Sequence, residues 1–141
     1  MKNILITIFS IFLLRSCTSD DYFEESPYLP YAPVNIDINL NDPYFSVLKE
    51  YEGAVFIDDG YSGVLGVIIF NSGAGYRAYE AACPNHAVRD CSTLEFDYNL
   101  VYCVCEDVDF SLHTGKALNG RGFRLREYRV QTYKNTLSIV N

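Results

Sequence analysis

Tryptophan is absent from this 141-residue chain, and basic residues are scarce: 11 Lys and Arg stand against 18 Asp and Glu, for a formal net charge of −7. If residues 1–16 are removed as a signal peptide, Lys2 and Arg15 are lost with them, and 9 basic residues remain against the same 18 acidic ones, a mature charge of −9. An acidic protein repels the phosphate backbone of nucleic acids. The charge balance therefore argues against a nucleic-acid partner and is typical of a well-solvated surface.

The chain also lacks the motifs of hydrolytic and nucleotide-dependent enzymes. It contains no nucleophile elbow, no metalloprotease helix motif and no phosphate-binding loop. Gly73-Ala74-Gly75 is rich in glycine, but no helical pattern follows it, so it predicts a turn and not a phosphate cradle. We therefore expect no enzyme activity.

The first 16 residues have the features of a secretory signal peptide. Lys2 precedes an apolar run over residues 4–14, which is too short to span a bilayer as a stable helix. The run ends in Leu-Leu-Arg-Ser-Cys, which resembles the lipobox of bacterial lipoproteins, where cleavage leaves the cysteine as a lipidated first residue. The resemblance implies that residues 1–16 are removed and that Cys17 carries the lipid. An ordinary secretory signal followed by a chance cysteine is the alternative.

The composition of residues 17–33 predicts a tether rather than packed structure. Acidic residues follow Cys17 closely, and three prolines punctuate the rest of the segment without apolar periodicity. Acidic residues after a lipidated cysteine resemble the surface-export signals of some outer-membrane lipoproteins. We therefore expect a cell-envelope protein held by its lipid at a membrane, the outer membrane being favoured, with the periplasmic and surface faces both open.

From Val34 to Asn141, short β-patterns follow one another between turn signals. Alternation over 34–40 predicts a half-buried strand, and the apolar run 64–70 predicts a strand buried on both faces. Residues 44–51 have helical or irregular spacing over a short stretch. Further strands are predicted over 53–57, 76–82, 100–104, 108–113, 126–134 and 137–140, with a hairpin turn at Lys134-Asn135. The pattern indicates one small all-β domain over residues 34–141, without a long helix or internal repeat.

Cysteine and histidine are concentrated between Cys83 and Gly120, where four of the five cysteines and both histidines lie. From Cys103 to Gly115 the chain reads Cys-Val-Cys-Glu-Asp-Val-Asp-Phe-Ser-Leu-His-Thr-Gly. This stretch is similar, without a gap, to the Cys-Pro-Cys-His-Gly-Ser-X-Phe-Asp-Leu-X-Thr-Gly pattern of the second cluster loop of Rieske proteins. The chain thus resembles the Rieske 2Fe–2S family over most of its mature length. The resemblance implies small antiparallel sheets that carry a two-loop subdomain, here at about residues 82–120.

The iron-binding residues of that family are altered in this chain. A Rieske cluster takes two thiolates on one iron and two imidazoles on the other. Cys83 and Cys103 stand at the thiolate positions. The first imidazole position holds Asn85, with His86 one residue later in a first loop that is longer than the family form, and the second holds Glu106.

Two further cluster positions are changed, while the scaffold positions beside them are kept. The glycine that lets the backbone approach the cluster is Asp107, and the serine that hydrogen-bonds a bridging sulfide is Val108. Phe110, Leu112 and Gly115 match the family pattern. We interpret this contrast as a retained fold with a lost cluster, so no cofactor is favoured.

The cysteines then need another role. An exported domain lies where disulfides persist, and with Cys17 lipidated four cysteines remain, which permit three pairings. The family resemblance implies one of them. Cys91–Cys105 matches the disulfide between the loops of many Rieske proteins, and Cys83–Cys103 joins the two sulfurs that would share one iron. Each bond is expected to contribute about 2–4 kcal/mol by tying the loops.

Three other uses of these residues stay open. A Rieske-type 2Fe–2S electron carrier serving an oxidoreductase would bind its cluster through Cys83, His86, Cys103 and Glu106. A mononuclear zinc site would use Cys83, His86 and Cys103 with either Cys105 or Glu106, since the Cys-X-X-His half has a usable spacing. A thiol–disulfide sensor would use the Cys-X-Cys motif, although its acidic neighbours disfavour the reactive thiolate.

The main expectation is a non-enzymatic, lipid-anchored protein whose Rieske-like domain is a rigid, disulfide-tied module for an envelope assembly or an unidentified protein partner. Tyr98 and Tyr102 near the loops suit a contact surface, with core packing as the alternative. His113 is expected to be an exposed turn residue without a ligand role.

Overall fold

The computed structural model describes residues 25–141, which form nine strands and one short 3-10 helix. In chain order, these are β1 (Asn35–Asn39), the 3-10 helix (Pro43–Lys49), β2 (Ala54–Ile57), β3 (Val67–Asn71), β4 (Tyr76–Glu80), β5 (Glu95–Asp97), β6 (Leu100–Cys103), β7 (Val108–Ser111), β8 (Glu127–Tyr133) and β9 (Thr136–Val140). The predicted signal peptide, the predicted lipidation site Cys17 and the start of the predicted tether lie outside the described residues. Among residues 25–141, no helix has the length and hydropathy needed to cross a bilayer.

The strands form two antiparallel sheets, in agreement with the predicted all-β class. The large sheet has the order β1-β9-β8-β4-β3-β2, and the small sheet has the order β5-β6-β7. β8 and β9 form the predicted hairpin, in which Tyr133 pairs with Thr136 and Lys134 takes a left-handed φ of 53°. The segment that connects β4 to β5 carries Cys83 and Cys91, Cys103 ends β6, and Cys105 lies in the turn to β7.

Strand β3 separates two hydrophobic cores, which confirms that it is buried on both faces. Successive side chains of a strand point to opposite sides. Val67 and Ile69 pack in the first core with the 3-10 helix and β9, and Ile68 and Phe70 pack in the second core with β6 and β7. All four side chains are fully buried. The second core therefore joins the large sheet to the small sheet and its loops.

One strand is missing from the sequence expectation, and the structure decides between the helical and irregular interpretations of the stretch after β1. β5 was not predicted, because its three residues are all exposed and two of them are charged; it forms by pairing, with Phe96 opposite Val101. The short stretch after β1 is a 3-10 helix that begins at Pro43, and Asp42 caps it by accepting a hydrogen bond from the backbone N–H of Tyr44 at 2.9 Å.

Residues 25–33 pack against the domain, so the predicted tether is wrong over this part of its length. Leu29 is buried, and the Arg126 guanidinium donates hydrogen bonds to the backbone carbonyls of Leu29 and Pro30, each at 2.7 Å. The buried Ser26 hydroxyl donates to the carbonyl of Pro84, next to the first cysteine. The prolines disfavour regular secondary structure in this segment. Hydrogen bonds to side chains and backbone groups of the domain pair its polar groups instead.

A buried carboxylate fixes the entrance of the first cysteine loop. Glu80, the last residue of β4, is fully buried and accepts hydrogen bonds from the backbone N–H groups of Val64 (2.7 Å), Leu65 (3.0 Å) and Ala82 (3.1 Å). The Tyr128 hydroxyl donates to the same carboxylate at 2.6 Å. Burial, with this hydrogen bond second, raises the pKa of Tyr128 far above its usual range, so the hydroxyl keeps its proton and serves as a donor.

A second polar contact attaches the β7 turn to the large sheet. His113 is half-buried, its Nε2 lies 2.8 Å from Oε1 of Glu52, and its ring lies edge-on to Phe70 with centroids 4.9 Å apart. Asn99 donates to the same oxygen at 2.9 Å. The hydrogen bond from His113, followed by that from Asn99, holds the pKa of Glu52 below its usual value. The expectation of a merely exposed His113 is therefore wrong.

The packing of residues 25–33 predicts a stability loss in Leu29→Ala. Removing a buried leucine side chain leaves a cavity and costs about 2–3 kcal/mol. We expect a lower Tm by differential scanning calorimetry on the full chain. Tyr31→Ala is the matched control, because Tyr31 belongs to the same segment but is 82% exposed. Equal Tm values for Leu29→Ala and Tyr31→Ala would contradict the structural role of this segment.

The Glu52 contact predicts a pH-dependent stability term. The pKa of Glu52 is lower in the folded chain than its value of 4.5 when unfolded, so its contribution is present above pH 4.5 and is lost as the pH falls through the folded pKa. Glu52→Gln should therefore lower the Tm at pH 6, and this Tm difference should shrink as the pH falls below 4.5. Glu50→Gln, at a nearby exposed carboxylate, should show neither change. A Tm difference for Glu52→Gln that does not shrink at any pH below 4.5 would contradict this account.

Candidate functional site

Two loops meet at the edge of the second core and carry the predicted site residues. The first loop runs from β4 to β5, and the bridge between Ala82 and Thr93 closes its base. The second loop is the tight turn from β6 to β7, where Cys103 pairs with Val108. At this turn Asp107 has a φ of 53°, in the left-handed region. The family pattern has glycine at this position, and glycine adopts this conformation without strain.

Two disulfides tie these loops together, and their pairings are the ones that the family resemblance implies. The inner bond joins Cys83 to Cys103 with Cα atoms 5.8 Å apart, and both residues are fully buried in the second core. The outer bond joins Cys91 to Cys105 with Cα atoms 5.4 Å apart, and both residues are half-buried. The two bonds thus differ in their access to solvent.

His86 lies against the inner disulfide. Its Nε2 is 3.6 Å from Sγ of Cys103, and its Nδ1 is 2.9 Å from the carbonyl of Ala87. A carbonyl only accepts hydrogen bonds, so Nδ1 carries a ring proton, and in the neutral ring Nε2 then presents its lone pair towards the sulfur. The longer first loop therefore brings a histidine to the cysteines, although not from the position that the family uses.

Asn85, at that family position, contacts a different part of the chain. Its Oδ1 accepts a hydrogen bond from the backbone N–H of Phe123 at 2.8 Å. A Cβ atom at Gly122 would lie only 2.3 Å from the same oxygen, so the close approach requires glycine there. The amide of Asn85 thus anchors the first loop to the chain before β8, and no motif in the sequence indicates this contact.

Glu106, at the second imidazole position, lies at the surface. Its Oε1 is 3.4 Å from Nη2 of Arg89, and the two side chains are 36% and 56% exposed. The Nε–H of Arg89 also donates towards Sγ of Cys105 at 3.4 Å. The sequence alone does not identify Arg89 as a site residue. The only indication is that Arg89 is the basic residue between the two cysteines of the first loop.

The remaining cluster positions of the second loop also make protein contacts. Val108 is buried in the second core, and the carboxylate of Asp107 accepts a hydrogen bond from the Tyr102 hydroxyl at 2.7 Å. This hydrogen bond is the main cause of a raised pKa for Tyr102. Of the two tyrosines expected to suit a contact surface, Tyr98 is 91% exposed and Tyr102 is half-buried.

The described residues do not fit a Rieske 2Fe–2S cluster. Such a cluster needs two imidazoles on its second iron, but His86 alone lies at the loops, since His113 contacts Glu52 instead. The sulfurs of Cys83 and Cys103 are bonded to each other. The donor atoms of Cys83, His86 and Cys103 nevertheless lie within 4.8 Å of one another, a set that suits a single metal ion.

No protein-family model and no curated protein matches this sequence. Among solved structures, the ferredoxin of carbazole 1,9a-dioxygenase from Nocardioides aromaticivorans is 18% identical, with a TM-score of 0.44 over 77% of this chain and 97% of the ferredoxin. The quaternary ammonium Rieske monooxygenase CntA, solved with an inhibitor, is 14% identical, with a TM-score of 0.51 over 77% of this chain and 31% of the monooxygenase. The likeness concerns the fold, which is Rieske-like: small antiparallel sheets that carry two loops.

Proposed function

We propose that this protein is a lipid-anchored component of the cell envelope whose Rieske-like domain has lost its 2Fe–2S cluster and acts as a disulfide-tied structural or interaction module. The observation that carries the proposal is the inner disulfide. Each sulfur of Cys83–Cys103 stands where the family places a thiolate ligand, and a sulfur in a disulfide has no thiolate to offer iron. The crosslink between the loops is then covalent and needs no metal.

The altered positions support the same proposal, because each has a structural partner. Asn85 binds the backbone of Phe123, and Glu106 faces Arg89. Val108 fills part of the second core. A residue held in such a contact would have to leave it, at a cost in stability, to serve a cluster. On this view the domain is neither an enzyme nor an electron carrier.

The loop tips are the surface that we assign to a protein partner. Val88 and Val104 are 40% and 44% exposed and adjoin, in sequence, the Arg89–Cys105 contact that brings the two loops together. Tyr98, at the turn between β5 and β6, adds an exposed aromatic ring. Apolar and aromatic side chains on a rigid support are typical of the centre of protein interfaces, since little conformational entropy is lost when they bind.

The proposed loss of the cluster predicts the composition of the purified protein. The full chain, produced under conditions that allow cluster insertion, should contain neither iron nor acid-labile sulfide, because the donor set lacks a second imidazole. Thiol titration after denaturation without reductant should find no free thiol among the four loop cysteines. Elemental analysis, sulfide assay and a visible spectrum check this. About two irons per chain with sulfide would contradict the proposal and indicate an electron carrier with an unusual ligand.

The proposed anchor predicts the behaviour of Cys17→Ser. Each buried methylene of an acyl chain contributes about 0.8 kcal/mol, so several chains hold a protein firmly at a membrane. The full-length chain should incorporate a clickable fatty acid in a bacterial host and sediment with membranes after a carbonate wash, and Cys17→Ser should do neither. Cys91→Ser combined with Cys105→Ser is the matched control and should remain labelled. Labelling that survives in Cys17→Ser would contradict lipidation at this residue.

A further inference from the structure

We propose that reduction of the inner disulfide converts Cys83, Cys103 and His86 into a mononuclear zinc site with its fourth position open. The inference goes beyond the proposed function, which concerns the oxidised protein. Two thiolates and one imidazole are preferred zinc ligands, and three protein ligands with an open fourth position form a recognised kind of zinc site. The three donor atoms already lie within 4.8 Å of one another.

The geometry of His86 matches that of a zinc ligand. For tetrahedral zinc, a Zn–S bond of about 2.3 Å and a Zn–N bond of about 2.0–2.1 Å place the nitrogen about 3.6 Å from the sulfur. The observed separation between Nε2 of His86 and Sγ of Cys103 is 3.6 Å. One edge of the coordination tetrahedron is therefore present before any metal binds.

The second ring nitrogen of His86 is held as zinc sites require. A metal-binding histidine donates its other N–H to a carbonyl or a carboxylate, which fixes the tautomer and the ring orientation. Here Nδ1 donates to the carbonyl of Ala87 at 2.9 Å, and the hydroxyl of the buried Ser92 lies 3.5 Å from Nδ1. Nε2 thus has a lone pair directed at the place where a metal would bind.

The edge between the two sulfurs has to lengthen when the metal binds. Two thiolates on tetrahedral zinc lie about 3.8 Å apart by the same bond lengths. The Cα atoms of Cys83 and Cys103 are 5.8 Å apart, so rotation of the two side chains supplies this separation without a backbone movement. Glu106 does not complete the site in this arrangement, because it faces Arg89 at the surface.

The conversion is a two-electron reduction by thiol–disulfide exchange. A dithiol reductant transfers two electrons and two protons to the Cys83–Cys103 bond, which breaks into two thiols while the reductant closes its own disulfide. Zinc binding then releases the two thiol protons, because the ligands are thiolates. The inner bond is fully buried and the outer bond is half-buried, so a reductant reaches the Cys91–Cys105 bond more readily than the inner one.

The test measures zinc binding by the full chain before and after reduction with a phosphine, which supplies the same two electrons. To leave Cys83 and Cys103 as the only thiols, Cys17, Cys91 and Cys105 are replaced by serine. We expect about one zinc per chain after reduction and none before it, by elemental analysis after gel filtration. The reduced chain should also give the visible spectrum of tetrahedral cobalt when Co²⁺ replaces zinc.

Two histidine variants identify the ligand and guard against binding by an unfolded chain. In a chelator competition, His86→Ala should lower the affinity for zinc at least about tenfold, whereas His113→Ala should bind zinc as tightly as its parent. Circular dichroism of each reduced protein reports the fold. If the chain with three serine replacements does not fold, the zinc affinities of the same two histidine variants are compared in the native chain. Equal affinity in His86→Ala and its parent, or zinc bound equally before reduction, would overturn the proposal; iron with acid-labile sulfide would instead overturn the proposed function.

Discussion

The covalent joining of the two loops is the constraint on which the rest of the site depends. Cys83 follows the last strand residue of β4 closely and Cys103 ends β6, so their bond connects the two sheets inside the second core. It closes a segment with a sequence separation of 20, for which loop-closure entropy gives about 3 kcal/mol. The bond is buried, and Nε2 of His86 lies 3.6 Å from one of its sulfurs.

Around this crosslink, the positions that serve a cluster in Rieske proteins make ordinary protein contacts. An amide at Asn85 binds a backbone N–H, a carboxylate at Glu106 faces a guanidinium, and an apolar Val108 packs in the core. Each residue type suits its contact. Under the proposed function this explains why neighbouring positions changed together: once a disulfide holds the loops, residues released from binding iron are selected for packing and hydrogen bonding.

Most of the fold was predictable from the sequence, because strands with one or two buried faces leave a clear hydrophobic pattern. β3 is an example, with its apolar run divided between two cores. The missed features have two physical causes. The packing of Leu29 and the His113–Glu52 contact depend on partners distant in sequence, which neither exposure nor proline content reveals. β5 pairs with the adjacent strand β6, but its three exposed residues leave no hydrophobic pattern. At the site, the disulfide pairings followed from the family resemblance, whereas the hydrogen bond that fixes the ring of His86 could be read only from coordinates.

The inner disulfide and a bound metal are mutually exclusive crosslinks, since both need the same two sulfurs in different oxidation states. A disulfide holds the sulfurs as neutral bonded atoms, and a metal holds them as thiolates. Both join Cys83 to Cys103, but the disulfide persists in the unfolded chain, whereas a metal site forms only together with the fold. Glu80, Asn85 and the second core hold the ends of the loops independently of those sulfurs. The fold can therefore keep its shape while the chemistry at its centre changes.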